Sequence, residues 1–355
     1  MRETFAISVP IGSYHPLLHD CLASLSIQTP APAIAVLDAS DDPRVSNVLD
    51  KFNDILTYRR SGPDNGQADA IRTGWDNING EILGWLNADD ALYPGALQKA
   101  ASHFHKFPDT DVFYGNSTII DDNNITRGYY WSVEPPSERL LSGCTIAQPS
   151  CFFRRSAVDQ IGGLDTTLHY TMDWDLWTRL WLSGARFNFS EDVLSRILWS
   201  RKAKTGGYGK KRRLELNRII DANANTVGKI KSRLGFGLHH LLEYATPPST
   251  AKYIRRIFRK NRPQIFGMDR TGAVLSRASI PLAHYSSDEK SGFAVSIDGQ
   301  APHCMLAVGG SSIFVETPGE HLIPFESPAS AGDVKTLTIE NKGKKPVYFD
   351  GVVWQ

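Results

Sequence analysis

Asp89 and Asp90 are adjacent carboxylates that close an apolar run over residues 81–86. Paired acids at such a place suit a hard divalent cation shared with a substrate diphosphate. Magnesium is usually held by one or two carboxylates plus phosphate oxygens, without an all-protein cage. The cation would neutralise charge gathering on a leaving diphosphate. The same residues also suit a helix start, with Asp90 capping residues 91–94. A second acid stands in Tyr170-Thr-Met-Asp-Trp-Asp-Leu-Trp. Leu176, Trp177, Leu180 and Trp181 mark a helix that begins near Asp173. There the helix dipole favours an ionised carboxylate. An ionised carboxylate facing a hydroxyl can act as general base. Capping explains Asp173 as well, so the residues alone leave both readings open.

The elements around these acids alternate. Residues 4–9, 33–37, 56–59 and 81–86 read as short strands. Residues 15–28, 44–52, 68–75 and 93–104 carry apolar side chains at helical spacing. A Gly/Pro/Asn cluster at 61–66 reads as a turn. Strand and helix in alternation predict a mostly parallel sheet covered on both faces. Ligands then bind beyond the carboxyl ends of the strands. Asp38 and the 87–90 cluster fall there.

Composition excludes little else. The chain has 355 residues, 41% hydrophobic and 22% charged, with a formal net charge of +1. That describes a globular protein of about two domains. The four cysteines have no CxxC spacing, which argues against zinc and a disulfide framework. No stretch resembles a signal peptide or a spanning helix, so a cytoplasmic location is expected. The sequons at Asn116 and Asn124 are then chance matches.

From residue 201 the character changes. Residues 201–262 hold seventeen Lys and Arg against three acids, on a largely helical pattern broken by Pro247-Pro248. Three readings are open: a peripheral contact with anionic membrane at the inner face, a clamp on a diphosphate by Arg201, Lys202 and Lys204, or a solvated linker. Sparse aromatic interleaving argues against nucleic acid. Beyond residue 262, short β-rich runs separated by Gly, Pro, Asn and Asp predict an all-β sandwich or jelly roll. Tyr285, Phe293, Phe314, Tyr348 and Trp354 are its aromatic candidates for stacking on a sugar or for the core. The expected division is residues 1–204, 205–262 and 263–355, and an oligomer is left open.

Taken in order, the motifs of residues 1–204 resemble the inverting glycosyltransferase family 2, with its Rossmann-like GT-A fold. The matching segments are Ile7-Ser-Val-Pro, Ser24-Leu-Ser-Ile-Gln-Thr, Leu37-Asp-Ala-Ser-Asp-Asp and Asp64-Asn-Gly-Gln-Ala-Asp-Ala-Ile-Arg-Thr-Gly. Leu86-Asn-Ala-Asp-Asp is similar to the Leu-Asn-Ser-Asp-Asp form of the family's metal motif. Gln148-Pro-Ser-Cys, Gly162-Gly-Leu-Asp and Met172-Asp-Trp-Asp resemble its acceptor-side block.

The resemblance implies a nucleotide-sugar donor, UDP-sugars favoured, and a glycan or lipid-linked acceptor in polysaccharide or envelope synthesis. By motif position, Asp38 would meet the base or ribose, and Pro10 and Ile11 would line the nucleoside pocket. Asn65, Gln67, Asp69 and Asn87 would complete the donor site. Asp90 would be the main ligand of Mg2+ or Mn2+, Asp89 would lie near ribose and diphosphate, and Asp173 would be the base. The chain also departs from the pattern. Leu37 and Asn87 stand where acids are usual, Ala39 replaces a glycine, and Met172 replaces a glutamate. Leu198 and Trp199 stand where many relatives have a histidine. Two rival functions are a nucleotidyltransferase, for which the Gly-rich basic loop is missing, and a glycan-binding protein with a decayed transferase domain.

Overall fold

The computed structural model describes residues 3–130, 132, 139–200, 209–241, 250, 254, 264–269, 271–299 and 302–355. The chain forms two compact units, residues 1–117 with 131–237, and residues 118–130 with 238–355. Arg201, Lys202, Lys204 and Pro247-Pro248 lie outside the described residues.

The first unit alternates as its sequence suggests. In chain order come β1 (Phe5–Ile11), α1 (Leu18–Ser26), β2 (Ala33–Asp38), α2 (Pro43–Lys51), β3 (Tyr58–Ser61), α3 (Gln67–Asn77) and β4 (Ile82–Trp85). Then follow β5 (Ala91–Leu92), α4 (Ala96–Lys106) and β6 (Val112–Ile120), within which the unit boundary falls. After β7 (Thr126–Tyr130), which belongs to the second unit, come β8 (Cys151–Arg154), α5 (Arg155–Gln160), α6 (Met172–Leu182), β9 (Phe187–Leu198), α7 (Lys210–Asn223) and α8 (Thr226–His240), whose last three residues fall in the second unit. The strand order is β6-β8-β4-β1-β2-β3. Strands β4, β1, β2 and β3 are parallel, and β8 runs antiparallel to its two neighbours.

Apolar side chains fill both faces of this sheet, as a parallel sheet requires. All seven residues of β1 are buried. One face packs Leu18, Leu22, Leu49 and Phe104 from α1, α2 and α4. The other packs Ile71, Trp75, Trp174, Trp177 and Ile219 from α3, α6 and α7. Gly74 brings α3 down onto the sheet: a Cβ there would collide with Ser8 and stand 2.9 Å from Leu37 Cδ2. Arg155 closes the other end of α3. Its Nε donates to Gly80 O at 2.8 Å, and Nη1 and Nη2 donate to Trp75 O and Ile78 O at 3.0 Å each. A cation on the last carbonyls of a helix also meets the negative end of its dipole.

Two expectations shift. The third strand covers Tyr58–Ser61, two residues later than the apolar pattern placed it. The helix expected over residues 93–104 begins at Ala96, because Ala91 and Leu92 pair with Arg196 and Ser195 of β9.

From residue 264 onward the described residues of the second unit form strands and turns without a helix. Its further strands are β10 (Ala273–Val274), β11 (Arg277–Ala283), β12 (Lys290–Asp298), β13 (Cys304–Val308), β14 (Ser311–Val315), β15 (Gly319–Ala329), β16 (Val334–Asn341) and β17 (Val347–Trp354). One sheet runs β15-β12-β17-β7, the other β11-β16-β13-β14. Both contribute to one core, with Phe293, Val295 and Phe349 from the first and Ile280, Leu306 and Ile339 from the second. That is a sandwich. Pro281 sits on β11, an edge strand, where a missing N–H breaks no ladder. Of the aromatic candidates, Tyr285 and Phe293 are buried and Phe314 is 49% exposed. The four cysteines are free, three of them buried. Among the described residues no helix is long and apolar enough to cross a membrane.

Gly74→Ala tests the seat of α3. Overpacking of this kind costs about 1–3 kcal/mol. The variant should show a lower urea midpoint with an unchanged slope.

Candidate active site

The parallel strands deliver their carboxyl ends to one edge. Ile11 pairs with Asp38, and the amide of Ala39 donates to Ile11 O at 2.8 Å. Ser8 O accepts from Leu86 N at 2.9 Å, which sets residues 87–90 beside these ends. Pro10 and Ile11 are buried. Ile11 is only 1% exposed, so what it offers a ligand is backbone. Asp38, 4% exposed, accepts at Oδ1 from the amide and hydroxyl of Ser40 at 2.9 and 2.6 Å.

Asn87 is the crosspiece. Its Oδ1 accepts from Gln67 Nε2 at 2.7 Å, and its Nδ2 donates to Asp90 Oδ2 at 3.0 Å and to Gln148 Oε1 at 3.4 Å. Gln148 in turn donates to Trp85 O at 2.8 Å. One amide thereby joins the start of α3, the turn after β4 and the segment before β8. Asn65 and Asp69 serve the turn itself: Asn65 N donates to Asp69 Oδ2 at 3.1 Å, and Gly66 holds a φ of +112°. A left-handed φ of that kind favours glycine.

Asp90 does not cap a helix. The strand pairing of residues 91–92 brings β9 alongside, and Leu198 N donates to Asp90 Oδ1 at 3.1 Å. The residue is 5% exposed. Burial drives its carboxyl well above the ordinary range, and the charge of Asp89 drives it further. The hydrogen bonds from Leu198 and Asn87 and the charge of Arg196 act against that rise. Asp89, half-buried, is also raised, by burial first, and the His15 charge opposes it. Arg196 reaches into this corner from β9 and donates from Nη2 to Asp20 Oδ2 at 2.9 Å.

These acids fit a shared cation. Two carboxyls held largely out of water and shifted toward the protonated form gain most from a positive partner. Among the described residues no three His, Cys, Asp or Glu side chains converge as a metal cluster. The remaining ligands would come from diphosphate and water, the usual habit of Mg2+.

Asp173 occupies the first turn of α6, whose N-cap position is Thr171. It is therefore not the capping residue. Its Oδ1 accepts from Trp174 N at 2.7 Å. Burial pushes its carboxyl up to about 6, against hydrogen bonds from backbone amides and the charge of Arg212 on α7. Desolvation thus outweighs the dipole that was expected to hold it low. The loop before α6 is held by Glu215 of α7. Its carboxylate accepts from His169 N at 3.1 Å, Tyr170 N at 2.8 Å and Thr171 Oγ1 at 3.3 Å. At the outer side, Arg179 bonds Asp175, Ile161 O and Gly163 O. His15, Asp20, Arg196, Arg212 and Glu215 had no role assigned from the sequence. Glu215 left a trace there as one of three acids in a basic segment, and Arg212 as one of its seventeen cations.

Residues 9–162 match the model of glycosyl transferase family 2. This segment belongs to that family. Its surroundings have the GT-A fold, a mostly parallel sheet with helices on both faces. A solved structure of S. aureus TarS 1-349 in complex with UDP-GlcNAc shares this fold, with a TM-score of 0.50 and 15% identity over 67% of this chain and 72% of that one. An uncharacterized glycosyltransferase of Rickettsia typhi is 27% identical over 210 residues, 54% of this chain and 63% of the relative. One of Rickettsia felis is 25% identical over 205 residues, 53% of this chain and 33% of the relative. The family 2 similarity thus spans between a third and two thirds of these relatives. A PGL/p-HBAD biosynthesis glycosyltransferase of Mycobacterium tuberculosis is 26% identical over 176 residues, 48% of this chain and 67% of that protein.

Glu215→Ala tests the clamp before α6. It strips two backbone amides of a charged acceptor, at about 1–3 kcal/mol for each buried group left unpaired. The variant should unfold at lower denaturant, and Glu215→Gln should recover part of the loss.

Proposed function

We propose that this chain is an inverting glycosyltransferase. It would move a sugar from a nucleoside-diphosphate sugar, UDP-sugars favoured, to a hydroxyl of a glycan or lipid-linked acceptor in envelope or polysaccharide synthesis. The observation that carries this reading is the buried Asp89–Asp90 pair at the carboxyl end of β4, inside the family 2 segment. The Mycobacterium tuberculosis relative, named for a biosynthetic transfer, supports synthesis as the context.

In this reading Asp38, Asn65, Gln67, Asp69 and Asn87, with the backbone of Pro10 and Ile11, shape the donor site. Asp90, aided by Asp89, would hold Mg2+ or Mn2+, which when bound offsets charge on the leaving diphosphate. Asp173 takes the proton from the acceptor hydroxyl. The acceptor oxygen forms its bond to the anomeric carbon as the bond from that carbon to the diphosphate oxygen breaks, with inversion. Such a transition state has oxocarbenium character. A base titrating near 6 is ionised at neutral pH yet basic enough to accept a proton in the transition state.

Three outcomes follow for purified protein with labelled donor. Asp173→Asn should lower kcat about a thousandfold and leave donor binding intact. Near-native turnover by that variant would remove Asp173 as base. In the native protein kcat/KM should decline below an acid-side inflection near pH 6, where the raised carboxyl takes up its proton and ceases to be a base. Chelation of divalent cations should stop transfer, with recovery on adding Mg2+ or Mn2+, and Asp90→Asn should demand more cation for the same rate.

A further inference from the structure

Among the described residues, helix α8 packs by one side. Ser232 is buried and its hydroxyl donates to Ser142 O, and Phe236 packs against Trp174 with ring centroids 6.1 Å apart. At 100° per residue these two lie close together on the helix circumference. Val227, Ile230 and Leu234 recur at steps of three and four residues and fall on the opposite side. They are 58%, 55% and 69% exposed. A stripe of this length is unusual on a surface that meets only water. Exposed Lys231 and Arg233 border it on its two sides, Arg233 in a 2.6 Å ion pair with Asp221. On α7, Leu214 is 59% exposed, and Lys210, Lys211, Arg213 and Arg218 are exposed. Between the two helices lies an open cavity of about 400 Å3, with Arg213 and Arg233 at its lining above Leu216, Ile220 and Phe236.

We infer that the outer face of α8, with Leu214 of α7, is a docking surface for an anionic lipid bilayer. An amphipathic helix lying in the interface buries an apolar stripe among the acyl chains and sets Lys and Arg among the headgroups. The charge pattern selects this occupant over a second copy of the chain. The described residues 209–241 carry eight Lys and Arg against Glu215 and Asp221, so a self-pairing through this face would bring two basic surfaces together. An anionic surface attracts the same charges. The cavity suits one lipid, with its headgroup phosphate at the arginines and its upper acyl carbons on the apolar floor. This surface goes beyond the transfer reaction and does not depend on it.

The test is cosedimentation of the full chain with phosphatidylcholine vesicles, with and without 30 mol% phosphatidylglycerol. The native chain should pellet with the anionic vesicles at low salt and much less with the neutral ones. The triple variant Val227→Ser, Ile230→Ser, Leu234→Ser should lose at least tenfold in partition. Lys231→Glu with Arg233→Glu should lose a similar factor. Circular dichroism and the thermal midpoint report whether the variants fold. The changed side chains point away from the core, so both should stay near native. Failure of the native chain to bind anionic vesicles overturns the inference. So does equal binding by a folded triple variant, or a native dimer that the triple variant dissociates without any vesicle binding. None of these readouts measures glycosyl transfer, so their failure leaves the proposed reaction standing.

Discussion

Asp90 is an ionisable group almost removed from water, and the local structure is arranged around that fact. A buried carboxylate needs donors on its oxygens or a cation close by. Here the donors come from two directions. Leu198 N reaches in from β9, and the side chain of Asn87 reaches across from the turn after β4. The first contact exists only because residues 91–92 turn into a strand that pairs with β9. The second exists only because Asn87 is held between Gln67 and Gln148. Position 90 therefore depends on α3, β4, β5, β9 and the segment before β8 together.

Arg196 belongs to the same balance. It is 7% exposed and pairs with Asp20 at 2.9 Å, while its charge also lowers the carboxyl of Asp90. A buried guanidinium between two acids costs desolvation, and its return is electrostatic order. The corner contains Asp20, Asp89, Asp90, His15 and Arg196, with more negative than positive formal charge at neutral pH. A bound dication would cancel that excess. This is the physical content of the proposed metal site, and it rests on charge as well as on motif.

Much of the fold was legible because its signals are local. Residues 4–9, a short apolar run rich in strand-forming types and ended by Pro10, announce a strand by themselves. Helical spacing in residues 15–28 and the Gly-rich turn before α3 were equally direct. The failures share a cause. The residues after Asp90 carry helix-compatible types, yet they pair with β9, more than a hundred positions later in sequence. Asp173 looked like a cap held ionised by the dipole, and burial dries it instead. Glu215 was one acid in a basic tract, and only the fold shows it turned inward to hold residues 169–171. Local types predict elements; contacts distant in sequence decide what a charge meets.

The replacement of an acid by Asn87 then has a consistent physical reading. An aspartate there would add one more negative charge beside Asp89 and Asp90 in a nearly dry corner. It would also remove the N–H groups that Asp90 Oδ2 and Gln148 Oε1 now accept, and two carboxylates would face one another. Like charges at that range each hold the other's proton on. Asparagine keeps the acceptor that Gln67 uses and supplies the donor that Asp90 needs. With Asn87 the corner carries the two adjacent acids, and a cation shared with a diphosphate needs no more protein charge than that. The departure from the common motif therefore moves work from charge to hydrogen bonding, and leaves Asp90 as the residue on which cation binding would turn.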